Sequence, residues 1–524
     1  MKRIDTRTMG GLIHACAERY SDRIAFVDDE RSLTYAEWLE RGARVANSLT
    51  AAGVGVADRV AVMAEDKVGA LEAYLGIWLA GATVVQVNAR LAAPELQYLL
   101  EDADVLGFFW SPDLADVVGQ VVGLDDLAMT AVIDPSEGSR YENLLASASS
   151  GVPIPPCEPA DAGIIGYTSG TSGRPKGAVV SHRSLTMATM INVYNMRVPR
   201  YSRMAFSGSL TFCATIWGQV LPHVFVGGTT SLLGSYDIES WIACLKADRS
   251  TWTYLPTPLI NDFAEAVGRE PVILDHLVTV MHAGSLAPRP QVERVVEVLG
   301  GRYLESYGMT EVVGAISATS ATDFGPESDA EDVLATAGRP VPNASMWIIG
   351  DEGAPVAPGE SGEIAAAVDP AFDCYWNDPE KTEAVNSGGV FRTGDVGRVD
   401  EHGYLYVTGR RSDLIVSGGM NVYPAEVERV ITSLPGVRQA AVFAIPHPRW
   451  VESVATAIVP AEGAELDRET VLAHCRRELA SYKKPTRIEF VSELPVSASQ
   501  KVDKRALGRR FSEPRADDLS SNDV

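Results

Sequence analysis

Residues 167–178 read Tyr-Thr-Ser-Gly-Thr-Ser-Gly-Arg-Pro-Lys-Gly-Ala, and no other stretch constrains this chain as tightly. The apolar run 162–165 before it and the run 178–180 after it each predict a strand. Between them, Gly170, Gly173 and Gly177 let the backbone turn sharply and approach a ligand closely, because no Cβ intervenes. Successive amides in such a turn form an anion-binding concavity, and Thr168, Ser169, Thr171 and Ser172 add hydroxyl donors. Lys176 supplies a compact positive charge suited to a phosphate. A flexible Gly/Ser linker is the plain alternative, but linkers rarely lie between apolar strands or end in Arg-Pro-Lys-Gly. The loop is not a Walker A motif, which needs Gly-Lys-Ser/Thr, whereas here the lysine follows proline.

The surroundings of the loop predict a layered α/β fold. Thr34 and Glu37 have capping-box spacing and open a helix expected to run to about residue 49. A strand over 59–64, a helix over 68–80 and a strand over 83–87 follow, then a helix over 94–100 and a strand over 106–110. Alternation of this kind argues for parallel sheets covered by helices. It recurs to about residue 345 without an internal repeat. Beyond residue 409 the pattern is that of a smaller α+β unit. Pro424 starts a helix with Val427, Val430, Ile431 and Leu434 on its apolar face. Strands over 439–445, 454–459 and 488–491 and a helix through Leu472, Cys475 and Leu479 complete the unit. At 524 residues the chain is too long for one core. The expected division is a large unit, 1–409, a smaller α+β unit, 410–511, and a polar tail, 512–524.

Forty-five Lys and Arg against 69 Asp and Glu give a net charge of −24, which argues against a nucleic-acid or anionic-membrane surface. A phosphate site must therefore be locally basic within an acidic shell. The six cysteines are scattered with no Cys-x-x-Cys, so neither a disulfide framework nor a zinc site is expected. No apolar leader opens the sequence, and the longest apolar stretch, 71–87, is too interrupted to span a membrane. The expectation is a cytoplasmic enzyme without an integral membrane segment. A homodimer is left open.

The 167–178 segment closely resembles the phosphate loop of the adenylate-forming superfamily of acyl-CoA synthetases, adenylation domains and luciferases. Further segments match that family in the same order along nearly the whole chain. Glu305-Ser306-Tyr307-Gly308-Met309-Thr310-Glu311 is similar to its adenine and metal segment. By that resemblance Tyr307 stacks on adenine, Thr310 touches the α-phosphate and Glu311 holds Mg²⁺, with Thr168 as a second metal contact. An aromatic face does suit a purine, and a hard cation does want carboxylate oxygen. Thr393-Gly394-Asp395 resembles the segment whose aspartate accepts both ribose hydroxyls, and Gly409-Arg410 a second nucleotide contact. Ala283-Gly284-Ser285 is similar to the loop lining adenine and the acyl carboxyl.

The resemblance continues through Gly409-Arg410-Arg411-Ser412 into Ser417-Gly418-Gly419, the family's hinge and first lid motif. The hinge falls at Ser412, where aspartate or lysine is more usual. The segment 495–501 resembles the loop bearing the adenylation lysine, which places that role on Lys501, with Gln500 where glycine is commoner. Ser417, Gly418, Gly419 and Trp450 would border the coenzyme A tunnel, and Arg476, Arg477, Lys483 and Lys484 could receive its phosphates. The acyl pocket would be lined by Phe212, Cys213, Ala214, Trp217, Gly218, Ala283, Gly284, Gly308, Val313 and Gly314. Cys213 stands where the family often carries histidine, and a buried cysteine reads as a small hydrophobe rather than a nucleophile.

The resemblance thus implies a ligase that activates an apolar carboxylic acid with ATP and then transfers the acyl group to coenzyme A. A stand-alone enzyme loading a carrier protein and a catalytically silent nucleotide-binding protein remain alternatives. Fatty, aromatic, alicyclic and sterol-derived acids all stay open.

Overall fold

The computed structural model describes residues 4–64, 67–168, 175–206, 209–233, 237–350, 352–417, 420–447, 450–497 and 501–512. Among them lie four sheets, of nine, seven, five and five strands. Both large sheets are built on parallel strands joined through helices, as the alternating pattern predicts.

In the seven-stranded sheet, Arg59–Met63, Thr83–Gln86, Val105–Trp110, Met129–Val132 and Ala162–Thr168 run parallel. Lys176–Ser181 then returns antiparallel against Ala162–Thr168. The local signals hold well here. Thr34 caps the helix Tyr35–Ala51 and Glu37 completes the reciprocal box. The helix Val68–Ala80 is buried at every position, as a segment apolar all round must be. Its one charge, Glu72, is fully buried, with Arg31 at 3.0 Å and Arg41 at 2.6 Å. That pairing makes the carboxylate tolerable in the core.

The nine-stranded sheet places Tyr303–Tyr307, Thr279–Ala283, Trp252–Tyr254, Arg203–Phe206, Thr229–Leu232 and Ile24–Val27 side by side and parallel. The carboxyl ends of such strands are where α/β sheets place ligands. Here they lead directly into Gly308–Glu311, Gly284–Ser285 and Thr257.

Between residues 344 and 410 the chain forms an antiparallel five-stranded sheet that the alternating pattern gives no sign of. Ala344–Ile349, Gly362–Val368, Val390–Val399 and Leu405–Arg410 are its main strands. A single turn, Arg411–Asp413, connects it to Ile415–Ser417 in the last sheet. In that sheet the long strands Val437–His447 and Val451–Pro460 alternate between two faces. Val442, Val454 and Ile458 pack with the helices Pro424–Thr432 and Arg468–Glu478, through Val427, Ile431, Val471 and Cys475. Phe443, Ala455 and Ala457 on the opposite face meet Leu507 of the helix Lys504–Arg510. In the helix Arg468–Glu478 the buried positions are Val471 and Cys475, with Leu472 partly covered. Among the described residues no helix is long and apolar enough to cross a membrane.

Candidate active site

The two strands around the glycine-rich loop are register partners down to Thr168 and Lys176, which close its base. Ser169, Gly170, Thr171, Ser172 and Gly173 lie outside the described residues. Tyr167, just before the loop, donates its hydroxyl to Asp102 at 2.6 Å and so anchors that strand end. Gly177 owes its place to crowding: a Cβ there would lie 2.8 Å from Ile165 Cγ2 and 3.2 Å from Trp376 Cβ. The Lys176 ammonium stands 4.9 Å from the centre of the Tyr375 ring, a cation–π arrangement. The Tyr375 hydroxyl in turn donates to Glu311 Oε1. One aromatic residue thus joins the loop lysine to the carboxylate expected to meet the metal.

Glu311 is buried in the short turn Thr310–Val312. Close backbone approach shapes this segment, since a Cβ on Gly308 would lie 2.1 Å from the Gly314 carbonyl oxygen. Val313 adopts a left-handed conformation with φ of 51°, and the Asn192 amide donates to its carbonyl at 3.2 Å and to that of Trp217 at 3.1 Å. Asn192 is buried on the helix His182–Asn195 and ties the Glu311 turn to the segment carrying Cys213 and Trp217.

Tyr307 ends its strand with its hydroxyl donated to Asp395 Oδ2 at 2.7 Å, and Arg410 Nε lies 3.2 Å from Asp395 Oδ1. Asp395 and Arg410 are cross-strand partners on consecutive strands, which sets their side chains next to one another. Burial holds the Asp395 carboxyl above its ordinary range, against the opposing pull of Arg410, the Tyr307 hydroxyl and Lys501. Lys501 sits where the chain folds back on itself: Val496 bridges Val502, and the Ser497 amide donates to the Lys501 carbonyl at 2.7 Å. The residue has exposed surface, yet protein crowds its ammonium. That burial and the Arg410 guanidinium lower its pKa, while Asp395 and Glu311 raise it. The lysine therefore stands in the field of both carboxylates.

On the acyl side, Cys213 is buried and its thiol is pushed up to about 12 by burial, with Glu311 adding to the shift. It is a packing group at neutral pH. A Cβ on Gly166 would lie only 2.0 Å from its Sγ, so Cys213 rests directly on the strand leading into the glycine-rich loop. Trp217 and Gly218 belong to a buried π-helical turn, Ile216–Val220, a distortion that often marks functional sites. Ala214 is exposed and Phe212 half-buried. Gly314 is held against Asn192, whose Oδ1 a Cβ would approach to 2.7 Å. Gly284 has φ of 87°, Ala283 accepts from the Tyr254 hydroxyl at 2.8 Å, and Ser285 and Glu305 are linked through Thr257 and His282. Ser306 is buried, and Met309 packs on the main core.

In the last sheet, Ser412 is exposed within the turn that joins the two five-stranded sheets. Ser417 is buried opposite Val451, the neighbour of Trp450, and the Trp450 ring stacks on His447 at 4.3 Å. Gly418 and Gly419 lie outside the described residues. Lys483 donates to both oxygens of Glu426, at 2.6 and 2.7 Å, so its charge is already matched within the protein. Sequence reasoning missed Tyr375, Asn192, Thr257 and His282. Only Tyr375 carried a signal, as part of the aromatic pair Tyr375-Trp376 shortly before Asp378-Pro379.

The AMP-binding enzyme family matches residues 13–376, and the AMP-binding enzyme C-terminal domain matches residues 426–501. The chain is similar to a feruloyl-CoA synthase of an Amycolatopsis species, at 33% identity over 92% of this chain and 94% of that protein. It is also similar to an indoleacetate–CoA ligase of Aromatoleum aromaticum, at 32% identity over 94% and 95% of the two chains. Among solved structures, ATP-bound MatB from Rhodopseudomonas palustris superposes with a TM-score of 0.87 at 27% identity, covering 96% of this chain and 99% of that one. With its glycine loop set between two strands and both family signatures in order, the chain belongs to the AMP-binding enzyme family, and it is an AMP-forming ligase of the acyl-CoA synthetase type.

Proposed function

We propose that this protein joins an apolar carboxylic acid, an aromatic acid first among them, to coenzyme A through an acyl-adenylate. The observation that carries this reading is the convergence on one site of Asp395, Arg410, Glu311 and the Lys501 ammonium, with Lys176 linked to Glu311 by Tyr375.

In the first half-reaction a carboxylate oxygen of the acid bonds to the α-phosphorus of ATP while the bond to pyrophosphate breaks. The acid is already ionised near neutral pH, so no general base is needed. Rate enhancement then comes from positioning and charge stabilisation. The loop closed by Thr168 and Lys176 holds the polyphosphate, Tyr307 offers its face to adenine, and Asp395 accepts the ribose hydroxyls. Lys501 meets the charge that develops between carboxylate and phosphate. Thr310 would sit beside the α-phosphate.

Magnesium arriving with the triphosphate fits the donors present, because Glu311 keeps one carboxylate oxygen beyond the Tyr375 hydrogen bond and Thr168 ends the adjoining strand. A single carboxylate plus phosphate oxygens is a usual way to hold this ion. Bound there, it would offset triphosphate charge.

In the second half-reaction a thiolate bonds to the acyl carbon and AMP leaves with the electron pair. Ser412 is the proposed pivot and residues 410–511 the proposed moving unit, which would withdraw Lys501 and bring Ser417, Gly418, Gly419 and Trp450 toward the thiol. The named pocket residues Phe212, Cys213, Ala214, Trp217, Gly218, Val313 and Gly314 carry no charge, which supports an apolar acid. The two relatives named above, a feruloyl-CoA synthase and an indoleacetate–CoA ligase, favour an aromatic ring. The six free cysteines support a reducing compartment such as the cytoplasm.

The test is pyrophosphate release across a panel of aromatic, alicyclic and straight-chain acids, with and without coenzyme A. Thiol-dependent AMP and thioester formation with an aromatic acid is expected. Turnover only to ADP, or pyrophosphate release that coenzyme A never converts to thioester, would rule the reading out.

A further inference from the structure

The π-helical turn Ile216–Val220 is held by side chains as well as by its backbone. The Leu221 amide reaches back five residues to the Ile216 carbonyl, and Pro222 has no amide to offer the Gly218 carbonyl in α-helical register. Asn192 donates to the Trp217 carbonyl at 3.1 Å. His223 Nδ1 lies 2.6 Å from the Gln219 carbonyl, which only accepts, so that nitrogen carries the proton. Behind the turn is a void of about 10 Å³, room for about one water molecule. Ile216, Val220 and Leu221 bound it on one side, and Leu71, Tyr74 and Trp78 of the helix Val68–Ala80 on the other. Each of the six is at most 3% exposed. The Tyr74 hydroxyl donates to the Leu210 carbonyl and the Trp78 indole to that of Gly163, so nothing in the lining holds a water and the void stays dry. Cys213 and Trp217 point the other way, toward the strand Ala162–Thr168. A Cβ on Gly166 would lie 2.0 Å from Cys213 Sγ and 3.7 Å from Trp217 Cη2.

We propose that this void makes the π-turn a yielding wall of the acyl site, and that Ile216 and Val220, which line the void, set the largest acid accepted. The inference rests on the reading of Cys213 and Trp217 as acyl-pocket residues and deepens it. A close-packed interior yields little, because each displaced group must open space elsewhere. Here the space is already open, and Ile216 and Val220 can shift into it without displacing a neighbour. That shift draws Cys213 and Trp217 back from Gly166 and widens the acyl side. The unfilled space forfeits packing contacts, which is the cost the fold carries for a wall that gives way. Ile216 and Val220 thus act on the acid through the turn and not by touching it.

Val220→Ile adds one methyl group to the lining, and Ile216→Val removes one. Amide hydrogen exchange over residues 213–225 of the ligand-free chain reads the yielding directly. It should slow about three- to fivefold in V220I, the worth of one buried methyl group, and quicken by a similar factor in I216V. The V220I melting temperature should rise by about 1–3 °C as the void fills. Acid choice is read as kcat/KM for pyrophosphate release along 4-methyl-, 4-ethyl- and 4-propylbenzoic acid. V220I should lower the propyl-to-methyl ratio about three- to tenfold, and I216V should raise it. A merely structural role would change all three acids together and leave the ratio alone. Unchanged exchange in both variants, a lower melting temperature in V220I, or a ratio within about twofold of wild type in both variants overturns the inference. Pyrophosphate release with an unchanged ratio refutes only the yielding wall. Absence of release with these acids and with the wider panel above refutes the ligase, while exchange and melting still decide whether the turn yields.

Discussion

The Tyr307 hydroxyl donates to Asp395 at 2.7 Å and so ties a strand end of the nine-stranded sheet to the antiparallel sheet of residues 344–410. Burial of this carboxylate comes at a cost to the fold. Because burial raises the folded pKa of Asp395 above 3.8, its contribution to stability is fullest below that value and is lost as pH rises through the raised folded value. Asp395→Asn should therefore raise the melting temperature of the nucleotide-free protein at neutral pH, by about 1–3 °C. The difference should close as pH falls into the carboxylate range. The same variant should bind ATP at least about tenfold more weakly, through loss of a charged acceptor for the ribose hydroxyls. Scanning fluorimetry against pH and nucleotide titration read the two effects, and a variant less stable at neutral pH would contradict the account of burial.

Lys501 shares that field, and its role is separable by half-reaction. Lys501→Ala should slow adenylation about 10²–10³-fold, as removal of one preorganised charge contact does. Thioester formation from supplied acyl-adenylate should be spared. With its pKa lowered from 10.5, the ammonium loses its proton at a pH where free lysine would keep it. Adenylation should accordingly decline on the alkaline side below pH 10.5, and the thioester half should lack that limb. Equal loss of both halves would remove Lys501 from the assigned step.

Features written in neighbouring residues were legible in the sequence. The Thr34–Glu37 capping box, the apolar helix Val68–Ala80 and the strands flanking the glycine loop depend on contacts within a few residues. Tyr307, Asp395 and Arg410 could be named because each sits in a recognisable segment, although their contact spans 88 positions. What stayed hidden has no local signature. The antiparallel sheet from 344 to 410 arises from pairings between strands, Gly362–Val368 with Val390–Val399 among them, that patterning within one segment does not register. Tyr375 meets Glu311 across 64 residues and Asn192 meets Val313 across 121. Nothing within either member of those pairs announces the other.

Tyr375 is the residue that a reading of the sequence passes over most readily and the easiest to test. Its hydroxyl holds one oxygen of Glu311, and its ring lies under the Lys176 ammonium. Tyr375→Phe keeps the ring and releases the carboxylate. The half-saturating Mg²⁺ concentration for adenylation should rise about three- to tenfold, in line with one lost hydrogen bond. An unchanged Mg²⁺ dependence would mean that Glu311 is oriented without Tyr375.

Cys213 and Gly166 offer a test of the packing beside the strand that leads into the glycine-rich loop. A methyl group on Gly166 would lie 2.0 Å from Cys213 Sγ and 3.1 Å from its Cβ. The first approach is impossible without movement, whereas the second needs a shift of a few tenths of an ångström. Gly166→Ala should therefore destabilise the protein by about 1–3 kcal/mol, the usual range for overpacking, and should weaken ATP binding by displacing the strand that ends at Thr168. Cys213→Ala alone should retain adenylation, because a thiol raised to about 12 carries no charge to contribute, and should change the order of preferred acids by enlarging the pocket wall. Combined, the two substitutions should recover much of the stability lost in Gly166→Ala. That gives a favourable coupling energy of about 1 kcal/mol or more in a double-mutant cycle. Strictly additive effects would show that sulfur and strand do not press on one another. Complete inactivity of Cys213→Ala in a folded protein would assign the thiol a part in the chemistry that its burial argues against.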